Sequence, residues 1–175
     1  MRHTPAGLEF TTVPEPAMLA GIPVWVHGGI GGHVVLMCGA TGAEGQAAYH
    51  AWGILARMLA ARGMTAIRFD WPGEGDAADP DDGTTALTAA AATVRDLFLA
   101  LKARPGVTAI SVAGLRLGAL IAARALEGCM VDRMVLLQPI SHGRRYRRER
   151  DARVRLSTKT SDDTGTTGVF RHHHM

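Results

Sequence analysis

The segment VAGLRLGALIAARAL, residues 112–126, sets Arg116 between Gly114-Leu115 and Leu117-Gly118. An apolar run, Thr108 to Ala113, leads into it, and a stretch rich in Ala and Leu follows. This is the layout of a nucleophile elbow: a strand, a sharp turn and a helix, with small residues flanking the central side chain. The glycines matter because a Cβ on either flank of so tight a turn would clash. The centre of such a turn ordinarily carries a side chain that attacks a carbonyl carbon. Arginine cannot do so, because its guanidinium stays protonated at any relevant pH. At a helix start, beside unpaired N–H groups and the positive end of the helix dipole, a cation favours an anion instead. Three readings stay open: an internal ion pair from Arg116 to Asp70, Glu74 or Asp76, a binding position for the carboxylate or phosphate of a substrate or partner, or a turn that is not an elbow at all.

Other residues bear on the same chemistry. A turn of this kind stabilises an oxyanion with the N–H that follows its centre and a second N–H from the loop after the third strand. The matching positions are Leu117 and a residue of Gly39-Ala40-Thr41-Gly42. The candidate binding residues are therefore Arg116, Leu117, Gly39, Ala40 and Asp76, and the catalytic residues are unknown. His27-Gly28-Gly29 looks like an oxyanion motif but precedes the wrong strand. Ser111 lies inside a strand, where packing or local hydrogen bonding is expected. Ser141-His142 follows the last strand, at the end that faces the cleft in open α/β sheets; adjacency in sequence does not make a catalytic pair. Cys38 reads as a buried thiol, since no base can be named for it. His172, His173 and His174 have no second ligand set, and no metal or cofactor is called for.

The elements that must position these residues are legible from periodicity. Leu8–Val13 reads as a strand stopped by Pro14 and Pro16, Ile22–His27 as a second, and Val34–Cys38 as a buried third, the last two joined as a hairpin. Gln46–Arg62 has helical spacing through Trp52, Leu55, Ala56 and Leu59, with a stop at Arg62-Gly63. Thr65–Phe69 is a strand, and Trp71-Pro72-Gly73-Glu74-Gly75-Asp76 opens an acidic turn. Thr84–Ala103 is a second helix, Ala109–Ala113 a strand, Leu117–Glu127 a third helix and Met134–Gln138 a last strand. Strands alternating with helices imply an α/β domain: a mostly parallel sheet of about six strands with helices on both faces.

The totals set bounds. The chain has 175 residues, 47% of them hydrophobic, enough for one domain with its own core. The formal charge is +3, yet seven arginines lie between Arg144 and Arg155, so the remainder is mildly acidic. The expected division is a domain over 1–143 and a basic, polar, disordered tail over 144–175. A natural extension and a frameshifted or truncated reading frame would both give such a tail. One aromatic, Tyr146, accompanies the arginines, and no nucleic-acid partner is expected. Two cysteines in no zinc spacing suit a reducing, cytoplasmic setting. No apolar run approaches the roughly 20 residues of a membrane span, so a soluble protein is expected.

Three segments taken together carry a resemblance. They are Glu44-Gly45-Gln46 with Ala48-Tyr49-His50-Ala51-Trp52, the loop Arg68-Phe69-Asp70-Trp71-Pro72-Gly73-Glu74-Gly75-Asp76, and the turn Gly114-Leu115-Arg116-Leu117-Gly118. Over roughly Leu8 to Ser141 the chain resembles the α/β-hydrolase superfamily. Within it, the chain looks most like the serine-aminopeptidase-like hydrolases associated with the exosortase A system. The resemblance implies a hydrolase acting on an acyl or peptide substrate, with a sheet of eight strands, the catalytic acid after the seventh and the histidine after the eighth. This chain departs from that pattern at Arg116 and in reaching only a sixth strand before its polar tail. The rival expectations are a non-catalytic anion-binding or interaction module on a hydrolase scaffold, and a homodimer through an open sheet edge.

Overall fold

A computed structural model describes residues 13–28, 32–144, 146–152 and 155. In chain order the elements are β1 (Glu15–Leu19), β2 (Ile22–His27), β3 (Gly32–Cys38), α1 (Gly42–Ala60), β4 (Thr65–Phe69), α2 (Ala86–Lys102), β5 (Val107–Leu115), α3 (Leu117–Ala125) and β6 (Arg133–Leu137). The chain divides after Pro139 into two compact units. All six strands lie in the first unit and form one sheet in the order β1-β2-β4-β3-β5-β6. Strands β4, β3, β5 and β6 are parallel neighbours; β1 and β2 run antiparallel at one side. The sheet is thus mostly parallel, as the alternation of strands and helices requires.

Two local expectations need correction. The first strand is Glu15–Leu19; Val13 lies outside any strand, and residues 8–12 lie outside the described ones. Pro16 lies within the strand and does not stop it, because an edge strand tolerates proline and β1 is the sheet's edge. The hairpin joins β1 to β2, not β2 to β3. Its two turn residues, Ala20 and Gly21, have φ of 52° and 75°, as a tight type I′ connection needs. β3 instead lies between β4 and β5, and its Val34–Cys38 run is buried on both faces. In the second unit, residues 143–144 and 146–152 are helical. The remaining residues of the basic run, apart from 155, and the three terminal histidines lie outside the described residues.

Alternation along the strands divides the core. On one face Val34, Leu36, Ile67 and Val112 pack beneath Val94, Leu97, Phe98 and Leu101 of α2 and Ile121 and Ala122 of α3. On the other, Val35, Met37, Ala66 and Ala113 pack beneath Trp52 and Ala56 of α1. Period-2 strands and helices with an apolar stripe make this arrangement obligatory. At the far edge, Met134, Val135, Leu136 and Leu137 of β6 are exposed. No helix among the described residues is long and apolar enough to cross a membrane.

Candidate functional site: a cleft at the carboxyl ends of the parallel strands

The turn between β5 and α3 is as sharp as its glycines suggest. Arg116 has φ 55° and ψ −118°, a conformation that costs a non-glycine residue on the order of 1–3 kcal/mol. Its N–H donates to the Leu137 carbonyl at 3.0 Å, tying the turn to β6. A Cβ on Gly114 would press on the Ala119 backbone, and one on Gly118 would meet the carbonyls of Cys38 and Gly39. The start of α3 therefore packs on the strand end and loop that follow β3.

The Arg116 guanidinium forms an internal ion pair, and its partner is Glu44. Nε donates to Oε2 at 3.3 Å and one terminal nitrogen to Oε1 at 3.2 Å. The two side chains are 28% and 21% exposed, so the pair is partly shielded. Two of the three carboxylates anticipated from the sequence accept backbone N–H groups instead. Asp70 Oδ2 accepts the Asp76 N–H at 3.2 Å, and Glu74 Oε1 accepts the Gly42 N–H at 2.8 Å. Glu44 lies in the first turn of α1, within bidentate reach. Nothing in residue spacing marked it, because the contact spans 72 positions.

Beside this turn is a cleft of about 670 Å³. Gly39, Ala40 and Asp76 line it, whereas Arg116 and Leu117 are not among its lining residues. Gly39 accepts the Trp71 indole N–H through its carbonyl at 3.1 Å. Leu117 is the first residue of α3 and is half-buried. The acidic loop after β4 forms the cleft's rim through Asp70, Glu74 and Asp76. Its walls are aromatic: Trp25, Tyr49, Trp52, Phe69 and Trp71. Arg68 also lines it, on the α1 face of β4.

Sequence reasoning gave Arg68 no role, although a charge inside the buried strand Thr65–Phe69 was the available signal. It is 8% exposed. Its Nε donates to Nε2 of His27 at 3.0 Å, and the Tyr49 ring covers its guanidinium carbon, whose distance from the ring centroid is 5.2 Å. His27 is fully buried, so its imidazole is pushed down from 6.5 to about 4, first by desolvation, then by Arg68 and Arg57. It is a neutral acceptor toward Arg68, not part of an oxyanion site.

The remaining sequence candidates fall elsewhere. Ser111 Oγ bonds His33 Nε2 at 2.8 Å on the neighbouring strand β3. Ser141 Oγ and His142 Nδ1 are 2.9 Å apart, both exposed, in the second unit. Among the described residues no three His, Cys, Asp or Glu side chains gather as metal ligands. Burial pushes the Cys38 thiol far up from its ordinary value, while Cys129 is partly exposed. A colorimetric thiol reagent at neutral pH should therefore modify one cysteine rapidly in the folded protein and both in denaturant. Rapid modification of Cys38 in the native state would contradict its burial.

Solved structures similar to this chain are α/β hydrolases. The Pyrococcus furiosus esterase Pf2001 superposes with a TM-score of 0.56 at 18% identity, over 81% of this chain and 54% of its own. The esterase EaEST from Exiguobacterium antarcticum gives 0.54 at 20% identity, over 74% and 46%. XC6422 from Xanthomonas campestris, an α/β serine hydrolase without a lid, gives 0.52 at 20% identity, over 72% and 61%. No protein-family model matches the sequence, and no curated protein matches it. The chain therefore has the α/β-hydrolase fold, and it spans about half the length of these structures.

Proposed function

We propose that this chain is a binding module built on an α/β-hydrolase scaffold rather than a serine hydrolase. One observation carries the reading: the residue at the apex of the β5–α3 turn is Arg116, and its guanidinium is clamped by Glu44 at 3.2 and 3.3 Å. A side chain that can neither attack a carbonyl nor accept a proton occupies the position where this fold presents its nucleophile. The engagement with Glu44 also favours a turn-holding role for Arg116 over capture of a ligand anion. Leu117, Gly39 and Ala40 remain proposed as the polar backbone beside the cleft, and Asp76 as a rim residue. The loop RFDWPGEGD and the turn GLRLG support kinship with the exosortase A-associated hydrolases as the lineage of this scaffold.

The test is turnover. Purified protein, assayed with short-chain nitrophenyl esters between pH 6 and 9, is expected to release nitrophenol at the uncatalysed rate. A serine-directed fluorophosphonate is expected to label no defined residue. Saturable ester cleavage, together with labelling of one serine, would overturn the proposal.

A further inference from the structure

Arg68 is a buried cation without a counter-charge. Among the described residues no carboxylate pairs with its guanidinium, and its only hydrogen bond is the one from Nε to His27. Burying a charge is costly unless it is paired. The Tyr49 ring offsets part of that cost from one side. The two terminal nitrogens keep their donors, and the side chain lines the cleft. Gly53 of α1 lies over the guanidinium without crowding it: a Cβ there would make ordinary van der Waals contact, 3.7 Å from the nearer terminal nitrogen. A second donor in the same cleft is also orphaned. Trp52 is 9% exposed, and its buried Nε1–H has no partner. A buried donor left unsatisfied costs about 1–3 kcal/mol, which a ligand acceptor recovers where the indole edge turns toward the cleft that Trp52 lines.

We propose that this cleft binds an organic monocarboxylate with a flat apolar body, the carboxylate taken end-on by the terminal nitrogens of Arg68. The Nε edge of the guanidinium is committed to His27, which leaves the edge formed by the two terminal nitrogens, and that fork matches the spacing of carboxylate oxygens. Trp25, Tyr49, Trp52, Phe69 and Trp71 offer the surface against which a planar apolar body packs. The volume is that of a small-molecule site. Charge on the rim sets selectivity. Asp70, Glu74 and Asp76 surround the entrance, so a second negative charge on the ligand is repelled where one charge is neutralised at the floor. Phosphate and other multiply charged anions are thereby disfavoured.

The inference rests on the binding-module reading only in treating the cleft as a ligand site. Ester turnover would defeat that reading while leaving carboxylate binding measurable. The test is calorimetric titration of the full chain with 2-naphthoate, 2-naphthamide and inorganic phosphate. The naphthoate is expected to bind at least tenfold more tightly than the amide, and phosphate not at all. Arg68→Met should weaken naphthoate at least tenfold and leave the amide unchanged. Trp52→Phe, which keeps the apolar surface but removes the indole N–H, should weaken naphthoate severalfold. Should Arg68→Met fail to fold, the acid–amide comparison in the wild type and the Trp52→Phe variant decide the matter. Equal affinity for acid and amide, preference for phosphate, no binding of either naphthalene probe, or undiminished naphthoate affinity in folded Arg68→Met would each overturn the proposal.

Discussion

Gly118→Ala is expected to destabilise the first unit by about 3 kcal/mol or more, the upper range for overpacking a close-packed interior. A Cβ at that position would stand 2.5 Å from the Cys38 carbonyl oxygen and 2.9 Å from the Gly39 carbonyl carbon, and nearer still to the Gly39 oxygen. All three are backbone atoms of the β3 terminus, which β4 and β5 hold on either side. No rotamer change relieves the contact, so α3 must lift from the sheet or the turn at Arg116 must open. Either movement pulls on the Arg116–Leu137 hydrogen bond and the Arg116–Glu44 pair. Domains of ordinary stability have only about 5–15 kcal/mol in total, so a single methyl group removes a large share. Gly143→Ala is the control: nothing lies within 4 Å of its Cβ position. Urea unfolding should give a much lower midpoint for Gly118→Ala, with a similar m-value, and little change for Gly143→Ala. Equal midpoints for Gly118→Ala and the wild type would mean that α3 does not pack tightly on the end of β3.

That turn was the part of the site most legible in the sequence. Gly-x-x-x-Gly after an apolar run and before a helical one constrains the backbone locally, and local constraints survive in one dimension. The strands Ile22–His27, Val34–Cys38 and Thr65–Phe69 were legible for the same reason. Their order was not. Whether β2 pairs with β3 or with β1 and β4 is a long-range choice, settled by β3 needing a neighbour on each side and both faces covered. The partner of Arg116 escaped for a similar cause. Charge pointed to the acidic loop, but the Gly42 and Asp76 N–H groups hold Glu74 and Asp70. The cleft was the least legible. Its aromatic walls come from β2, α1, β4 and the loop after it, and no spacing rule joins Trp25 to Trp52 and Trp71. Arg68 is the exception, because a charge flanked by Ala66, Ile67 and Phe69 requires an explanation in any fold.

The folded state should also lose stability on mild acidification, through His27. In the unfolded chain its imidazole takes a proton near 6.5; in the folded protein it does so only near 4. Protonating it in place would set a second cation against Arg68, with Arg57 nearby, in a fully buried position. No carboxylate contributes to its environment to offset them. The sign follows from proton counting. Between these two values the unfolded state holds the extra proton, so stability falls as pH drops and levels off once the folded imidazole also titrates. Each pH unit of that window corresponds to about 1.4 kcal/mol, so descending from pH 7 to pH 4.5 should cost on the order of 2–3 kcal/mol from this residue alone. His27→Gln separates that contribution from those of the carboxylates. The amide oxygen accepts the Arg68 Nε–H as the imidazole does, yet it does not titrate. Urea unfolding at pH 7 and pH 4.5 should show the wild type losing about 2–3 kcal/mol more than His27→Gln across the interval. Parallel losses in the two proteins would show that His27 is not the buried neutral base on which Arg68 rests.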